Sequence, residues 1–239
     1  MIRQAKESDL PHLQRFSFRS PFGLKIWGEV SAYGLLQDFL PVWVQTLGKN
    51  VAAVFSRMGD TITLEAEKNA DFHELGVFCR MMCRYLFVRG ELDSVFCQTP
   101  LERGAVMSRP GGGKGFSGEN PPLSEVYRVL SACSKDFPHL PSFENWYVDM
   151  SHRIRHGAAR VFLSSEGSSC ALLTVCVPEG AILSGVATLP SCRGRSEASR
   201  LIGRICEEGQ NIFLFCRPEH ESLYKRLGFR ETGNWSILT

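Results

Sequence analysis

The amino-acid sequence predicts an α/β protein with a mixed sheet. In the C-terminal half, apolar residues recur with the periods of strands and helices in the order β-β-β-α-β-α-β. Of the 239 residues, 44% are hydrophobic and 22% are charged, which is an ordinary globular composition. A chain of this length forms one large or two small domains.

In the N-terminal part, local patterns predict a helix, a strand pair and a second helix. The first helix begins at the capping residue Ser8 and covers residues 8–16. Strands at residues 51–57 and 61–67 flank the turn Met58-Gly59-Asp60, and an amphipathic helix is expected over residues 71–87.

Residues 109–122 contain so many glycines and prolines that neither a helix nor a central strand is expected there. We interpret this segment as a linker between an N-terminal domain, residues 1–108, and a C-terminal domain, residues 123–239. A phosphate-binding loop is less well supported, because Gly113-Lys114-Gly115 has no Ser or Thr after the lysine.

The C-terminal domain supplies the α/β pattern. After a mixed stretch at residues 123–133, the predicted elements are a helix at 143–156, a hairpin of strands 159–164 and 170–177, a strand at 182–188, a helix at 197–207, a strand at 212–216, a short helix at 220–227 and a last strand at 234–238.

Charge and composition exclude several classes of protein. The net charge of +2 is too small to favour a nucleic-acid partner, and no apolar run approaches the roughly 20 residues of a membrane span. The first ten residues lack the apolar core of a secretory signal, so we expect a cytoplasmic protein. Most of the nine cysteines lie within apolar strand or helix patterns, which suits reduced, buried thiols better than a disulfide framework. Cys79 and Cys83 have no second Cys/His pair at zinc spacing, so no metal site is expected.

One segment, from Val186 to Ala198, carries most of the functional interpretation. It reads as an apolar strand, Val186-Ala187-Thr188, a basic glycine turn, Arg193-Gly194-Arg195, and a helix start, Ser196-Glu197-Ala198. Backbone N–H groups in such a turn and at a helix N-terminus hold anions such as a diphosphate. The alternative is an exposed turn whose arginines reach water, although cations are disfavoured at a helix N-terminus.

Two motifs in this order resemble the GNAT superfamily of acyl-CoA-dependent N-acetyltransferases. The first family pattern is Gln/Arg-x-x-Gly-x-Gly/Ala, which Arg193 and Ala198 fit while Ser196 replaces the central glycine. If the backbone there needs a positive φ, serine costs roughly 1–2 kcal/mol. If it needs only close approach or a helix cap, serine is acceptable and its hydroxyl can donate to phosphate. The second motif is Tyr224 followed by Gly228-Phe229. The Asn that often precedes this tyrosine by seven residues is Arg217 in this chain.

The resemblance covers residues 123–239 and implies a GNAT-like acyl-CoA N-acyltransferase fold. Residues 1–10 also resemble the start of a GNAT domain, so the N-terminal domain is interpreted as a degenerate second copy. Because Lys68-Asn69-Ala70 stands there in place of a basic glycine turn, this copy is not expected to bind CoA.

The resemblance implies an N-acetyltransferase that moves an acetyl group from acetyl-CoA to a primary amine of a small molecule or peptide by direct attack. It makes Tyr224 the catalytic acid that protonates the leaving thiolate; the alternative is a tyrosine packed beside Leu227. The implied cofactor-binding residues are Val186, Ala187, Thr188, Arg193, Gly194, Arg195, Ser196, Glu197 and Ala198.

The general base and the acceptor are open at this point. Residues 182–189 contain no Asp, Glu or His. Candidates for the base are ordered water and the side chains of Glu144, Asp149, His152, His156 and Glu179. No acidic cluster in the sequence marks a polyamine or aminoglycoside site. A homodimer is neither required nor excluded.

Three functions therefore compete. The first is the active acetyltransferase. The second is a non-catalytic acyl-CoA-binding or protein-interaction module, favoured by Ser196, Arg217 and the absence of a strand carboxylate. The third is an aminoacyl or peptidoglycan-type transferase of two related halves, which needs a basic surface for tRNA that the composition does not favour.

Overall fold

The structure, a computed structural model, describes residues 1–96, 98–116 and 118–239. The chain divides into two units. The first comprises Met1–Met107, Phe215–Ser222 and Arg230–Thr239, and the second comprises Ser108–Leu214 and Leu223–Phe229. The first unit therefore includes two segments of the domain that the sequence assigns to residues 123–239.

The helices and strands follow one another as expected of a mixed α/β chain. In order they are β1 (Ile2–Gln4), α1 (Leu10–Ser17), α2 (Pro21–Tyr33), β2 (Val42–Leu47), β3 (Asn50–Met58), β4 (Thr61–Ala66), α3 (Phe72–Met82), β5 (Tyr85–Arg89), α4 (Asp93–Phe96), β6 (Glu102–Arg109), α5 (Leu123–Ala132), α6 (Phe143–Arg155), β7 (Arg160–Leu163), β8 (Ser169–Val177), β9 (Gly180–Thr188), α7 (Glu197–Glu208), β10 (Ile212–Cys216), α8 (Glu221–Arg226) and β11 (Arg230–Leu238).

The predicted helix over residues 71–87 is wrong in its last part. The Asp71 side chain accepts a hydrogen bond from the Glu74 N–H at 2.9 Å and caps α3, as its position predicts. The helix ends at Met82, and Tyr85–Arg89 forms β5. This strand pairs parallel with β4 and antiparallel with β11. Its aromatic and β-branched residues favour a strand once these partners are present.

The last strand of the chain lies inside the sheet of the first unit. The strand order in this unit is β1-β2-β3-β4-β5-β11-β6. Trp235 and Ile237 pack with Phe22, Phe87 and Phe215 in one aromatic cluster, and the rings of Phe87 and Trp235 lie 5.8 Å apart. The Trp235 indole N–H donates to the Cys216 carbonyl at 3.1 Å. Burial of these large rings holds β11 in the first unit.

The second unit contains strands β10-β9-β8-β7 in that order, with helices packed on them. The mixed pattern at residues 123–133 is helix α5, whose Val126, Val129 and Leu130 are buried. The predicted helices at 143–156 and 197–207 are α6 and α7. Trp146 of α6 is 7% exposed and lies in the core, so it is not an open pocket wall.

The glycine-rich segment predicted as a linker is docked on the second unit over residues 110–116. The Gly112 N–H donates to the Cys206 carbonyl and the Gly113 N–H to the Gly209 carbonyl, both at 2.8 Å. A Cβ atom at Gly111 would lie 1.9 Å from the Gln210 carbonyl oxygen, so only glycine fits this approach. These glycines therefore serve close packing as well as turning.

The described cysteines are free thiols. Burial raises the pKa of the Cys79 and Cys170 thiols to about 12 and that of Cys206 to about 11, so these groups are protonated and unreactive at neutral pH. Cys97 lies outside the described residues. In the described ranges, no helix has the length and apolarity needed to span a membrane, and no group of three His, Cys, Asp or Glu side chains is suited to hold a metal ion.

Candidate functional site

Strand β9 is bent by a bulge just before the predicted cofactor residues. Its partner β8 pairs Cys170 with Ala187 and Leu172 with Ser184, so three steps on β9 face two on β8. Gly185 sits in this bulge with φ of +53°, and a Cβ atom there would lie 2.8 Å from Leu172 Cδ1. A bulge bends the strand that carries it, which turns the end of β9 away from its regular course.

On its other edge β9 separates from β10 early. The parallel pairing between them consists of Ile212 with Ala181 and Phe213 with Ile182. Beyond Ile182, among the described residues, β9 continues to Thr188 without a partner on β10. Backbone N–H and C=O groups along this free edge are available to a ligand that adds itself as a strand.

The side chains at the end of β9 are engaged within the unit. Ala187 is 5% exposed in the core, Val186 is half-buried, and the Thr188 hydroxyl shares a hydrogen bond with the Ser169 hydroxyl at 2.9 Å. The Thr188 carbonyl accepts from Cys133 Sγ at 3.3 Å. At these positions the free backbone edge, rather than the side chains, is therefore suited to ligand binding.

The predicted turn adopts an unusual backbone before α7. Gly194 has φ of +80° and Ser196 has φ of +59°. Ser196 is the one non-glycine residue with positive φ in the described chain. It stands at the N-cap of α7 and makes no side-chain capping bond. The left-handed conformation that a central glycine would adopt freely is therefore present here in a serine.

The two arginines of the turn contact the protein itself. Arg193 Nη2 lies 2.8 Å from Asp136 Oδ2, and its Nε donates to the Thr188 carbonyl at 3.3 Å. Both partners of the ion pair are more than half exposed, with side-chain exposures of 54% and 55%. Arg195 Nη2 lies 3.5 Å from the Ser191 carbonyl, at the limit of a hydrogen bond. An exposed pair of this kind is weak and exchanges with competing ions.

The first turn of α7 contains the two remaining predicted cofactor residues. Glu197 is 7% exposed and forms an ion pair with Arg200, one turn further along the helix. Ala198 is half-buried. A carboxylate in the first turn complements the helix dipole, so Glu197 is accounted for as a helix-start residue. Binding of a cofactor by the Glu197 backbone N–H, the first of α7, stays a prediction.

Tyr224 lies on α8 and is half-buried. Its ring packs edge-to-face on Phe229, with centroids 5.6 Å apart, and its carbonyl accepts the Phe229 N–H at 3.0 Å. Gly228 has φ of +82° and turns the chain after the helix. The Tyr, Gly and Phe of this motif therefore form one folded unit.

Arg217, where the family pattern has Asn, lies 3.5 Å from the Glu102 carboxylate through Nη2. Both side chains are more than 40% exposed, at 42% and 43%. Arg217 therefore forms an ion pair with Glu102.

Among the candidate bases, Asp149 forms an ion pair with Arg153 on its own helix. Arg153 Nε lies 3.0 Å from Asp149 Oδ1, and Arg153 is 7% exposed. The rings of His152 and His156 lie 4.3 Å apart on successive turns of α6. Asp149, His152 and His156 therefore follow one another on successive turns of α6, and Asp149 is engaged in an ion pair within the helix.

The N-terminal copy has a different helix start. Strands β4 and β5 pair in parallel from Thr61 to Thr63 and then part. Helix α3 has the carboxylates of Asp71 and Glu74 in its cap and first turn. Carboxylates there repel a phosphate. That this copy does not bind CoA stays a prediction.

The sequence does not reveal an acidic cavity in the first unit. Its carboxylates, Glu91, Asp93 and Glu221, belong to segments more than 120 positions apart in the chain and meet around a cavity of about 940 Å³. No local spacing could have indicated this group. The sequence shows no local acidic cluster, but the folded chain brings three carboxylates to one cavity.

Comparison with known proteins identifies the fold. No protein-family model and no curated protein sequence matches this chain. A GCN5-related N-acetyltransferase from Sphaerobacter thermophilus is 16% identical, with a TM-score of 0.60 over 99% of this chain and 94% of its own. A tandem GNAT protein from the clavulanic acid biosynthesis pathway is 10% identical, with a TM-score of 0.58 over 99% and 97%.

A third structure, a GNAT-family acetyltransferase from Colwellia psychrerythraea, is 11% identical, with a TM-score of 0.55 over the full length of both chains. These likenesses extend over both halves of the sequence, and one of the proteins is itself a tandem GNAT. The chain therefore has the mixed α/β fold of the GNAT acyltransferases.

Proposed function

We propose that the protein is an acyltransferase that moves the acetyl group of acetyl-CoA to the primary amine of a small molecule or peptide. One backbone arrangement in the second unit carries the proposal. A bulged strand with a free edge leads into a glycine turn with positive φ at Gly194 and Ser196, and the turn opens onto a helix without a side-chain cap.

The turn suits a diphosphate. The residues from Arg193 to Ser196 are exposed, and a Cβ atom built on Gly194 meets nothing within 4 Å, so the turn is open to solvent. The first N–H groups of α7 have no capping bond from Ser196 and point along the helix axis toward an anion. Arg193 and Arg195 would add positive charge there. When bound, acetyl-CoA would supply the thioester acyl group.

The free edge of β9 would orient the donor. Along this edge the backbone N–H groups of Val186 and Thr188, which alternate with the Ala187 N–H that faces β8, would donate to the pantetheine chain and to the acyl oxygen, where negative charge develops during attack by the amine. Gly185 would set the direction of these groups through the bulge. Because the side chains of Ala187 and Thr188 already pack within the unit, the hydrogen bonds to the donor would come from the backbone.

Tyr224 would protonate the leaving thiolate. A phenol keeps its proton at neutral pH and is suited to donate it. The edge-to-face contact with Phe229 fixes the ring plane, and the turn at Gly228 places Phe229 beside it. This packing would hold the ring in place as a proton donor.

The second candidate is an acyl-CoA-binding or protein-interaction module without turnover. Two observations favour it: the Arg193 ion pair with Asp136 competes with a diphosphate, and Ser196 adopts a conformation that disfavours any side chain. β9 also carries no carboxylate to deprotonate an amine.

Calorimetric titration of acetyl-CoA and of CoA tests the proposal. We expect micromolar binding by the wild type and at least a tenfold loss in an Arg193→Ala/Arg195→Ala double variant, because each charge-assisted hydrogen bond contributes roughly 1.5–3 kcal/mol. Arg204→Ala is the matched control, since Arg204 lies on α7 with the same 54% side-chain exposure as Arg193.

Turnover separates the two candidates. The protein is incubated with acetyl-CoA and a panel of primary amines, and acetylated products are identified by mass spectrometry, which avoids interference from the protein's own thiols. Binding with product supports the enzyme, and binding without product from any amine supports the module. Absence of binding by the wild type would refute both CoA-dependent functions.

A further inference from the structure

Two histidines lie one turn apart at the end of helix α6 in the second unit. His152 and His156 are four positions apart, and side chains at this spacing are neighbours on a helix surface. Their ring centroids lie 4.3 Å apart, with 36° between the ring planes. His152 is half-buried and His156 is exposed, so the two rings are at the border with solvent. We call these two imidazoles the histidine pair.

The backbone fixes the spacing of the histidine pair. The His156 N–H donates to the His152 carbonyl at 3.1 Å, so the helical turn that joins the two residues is complete. Gly157 follows with φ of +68°, and its N–H donates to the Ile154 carbonyl at 3.0 Å. This is the usual glycine cap of a helix C-terminus. The two imidazoles are therefore held next to each other by the helix itself.

The charges around the histidine pair are compatible with a bound cation. The last carbonyl groups of a helix carry partial negative charge, which favours a cation at this end of α6. Two arginines also belong to the last turn. Arg153 is neutralised by Asp149, whose carboxylate lies 3.0 Å from its Nε atom. Arg155 is exposed and donates Nε to the Ser151 carbonyl at 3.3 Å, so water screens its charge.

The chemistry of imidazole decides the class of ligand. Two neighbouring imidazoles bind one ion through one ring nitrogen each, and imidazole suits Ni²⁺, Cu²⁺ and Zn²⁺ better than Mg²⁺ or Ca²⁺. The other nitrogen of a metal-binding histidine usually donates a hydrogen bond to the protein, so a polar contact of either ring is compatible with binding. Within the described chain no set of three metal-binding side chains is placed to hold an ion. Water would therefore complete the coordination, as in sites that keep an open position.

We propose that the histidine pair chelates one divalent transition-metal ion of the class of Ni²⁺, Cu²⁺ and Zn²⁺. The ion joins the two imidazoles across one helical turn and stabilises the C-terminal end of α6. Such a site needs no cysteine, so the sequence argument against a zinc site at Cys79 and Cys83 does not bear on it. It includes none of the residues proposed to bind acetyl-CoA, and it stands whether or not the protein transfers an acetyl group.

Calorimetric titration of Ni²⁺ into the full chain, prepared without a histidine tag, tests the proposal. We expect one ion per chain, bound roughly tenfold more tightly than by His152→Ala or His156→Ala, because each variant keeps one imidazole and loses the chelate. Alanine is the best helix former, so both variants should fold. Mg²⁺ should not compete with Ni²⁺. Absence of binding at about 1 mM Ni²⁺, one ion shared by two chains, or an unchanged affinity in either variant would overturn the proposal.

His139→Ala is the matched control, because His139 is exposed in the same unit and has no histidine three or four positions away. An equal loss of affinity in this control would also overturn the proposal. Thermal unfolding gives a second readout, since an ion that binds only the folded chain raises the midpoint. Ni²⁺ at about tenfold its dissociation constant should raise the wild-type midpoint by about 3–6 °C and that of His156→Ala by less than about half as much. Equal shifts would refute chelation by the pair.

Discussion

Replacement of Ser196 by glycine should stabilise the protein. At φ of +59° a side chain costs roughly 1–2 kcal/mol relative to glycine. Glycine also increases the entropy of the unfolded chain, which offsets about 0.4–1 kcal/mol of this gain. Ser196 is exposed and makes no capping bond, so its hydroxyl contributes no recorded contact that would be lost. From the middle of the two ranges, the net gain in unfolding free energy is about 0.8 kcal/mol.

The assay is thermal unfolding followed by circular dichroism. For a chain of this size, 1 kcal/mol shifts the midpoint by about 2–4 °C, so Ser196→Gly should raise it by roughly 1–4 °C. Ser196→Ala keeps the Cβ atom and should not raise the midpoint. Ser191→Gly is the matched control, because Ser191 lies in a short 3₁₀ turn with ordinary negative φ.

The outcome decides whether the turn is strained. We expect Ser191→Gly to lower the midpoint, since glycine there adds unfolded-chain entropy and removes the contact of the Ser191 hydroxyl with Cys192 Sγ. If Ser196→Gly lowers it by as much, the left-handed conformation at Ser196 does not limit stability, and the reasoning from its φ value is refuted. Ser196→Gly should bind CoA at least as tightly as the wild type, because glycine relieves the strain of the turn and is the residue that the family pattern has at this position.

Three further predictions follow from single contacts. Asp136→Asn should tighten CoA binding by up to roughly fivefold, about 1 kcal/mol, since Arg193 loses its competing ion pair; weaker binding in titrations at low salt would contradict this. Tyr224→Phe should keep the contact with Phe229 and the unfolding midpoint but lower the turnover rate by roughly 10²-fold or more, whereas an unchanged rate would remove Tyr224 from the chemistry. Hydrogen bonds from Arg3 hold the pKa of Asp9 below its ordinary value, so the stability that Asp9 contributes is present above the ordinary carboxyl range and is lost as pH falls through its lowered folded-state pKa. Asp9→Asn should therefore be destabilising at pH 7 in urea titrations and progressively less so toward acid, and a pH-independent difference would argue against the ion pair as its cause.

Much of the second unit could be predicted from its sequence because its elements are locally encoded. The period of apolar residues indicated α6, α7 and the hairpin β7–β8, and the turn before α7 was identified from Arg193-Gly194-Arg195 alone. The same local reasoning could not find that Ser196 adopts a positive φ, because serine gives no signal for it. It also could not find Asp136 as the partner of Arg193, because the two residues are 57 positions apart.

Elements that depend on distant partners were misread or missed. Tyr85–Arg89 continues an amphipathic helical pattern, and it becomes a strand because β4 and β11 provide hydrogen bonds on both of its edges. The glycines at 111–113 read as a linker, but their absent side chains allow the segment to lie against Cys206 and Gly209. In both cases tertiary pairing overrides a local preference that is worth only about 1 kcal/mol.

The sequence by itself determined the α/β class, the order of elements in the second unit and the positions of the turn and the Tyr-Gly-Phe motif, because these follow from the periodicity and backbone preferences of neighbouring residues. Only the tertiary structure decided where β11 lies, which partner Arg193 has, and that Glu91, Asp93 and Glu221 line one cavity. The physical reason is that burial of Trp235 and pairing of β11 with β5 bring together segments that are far apart in the chain. The free energy of these long-range contacts cannot be inferred from the pattern of neighbouring residues.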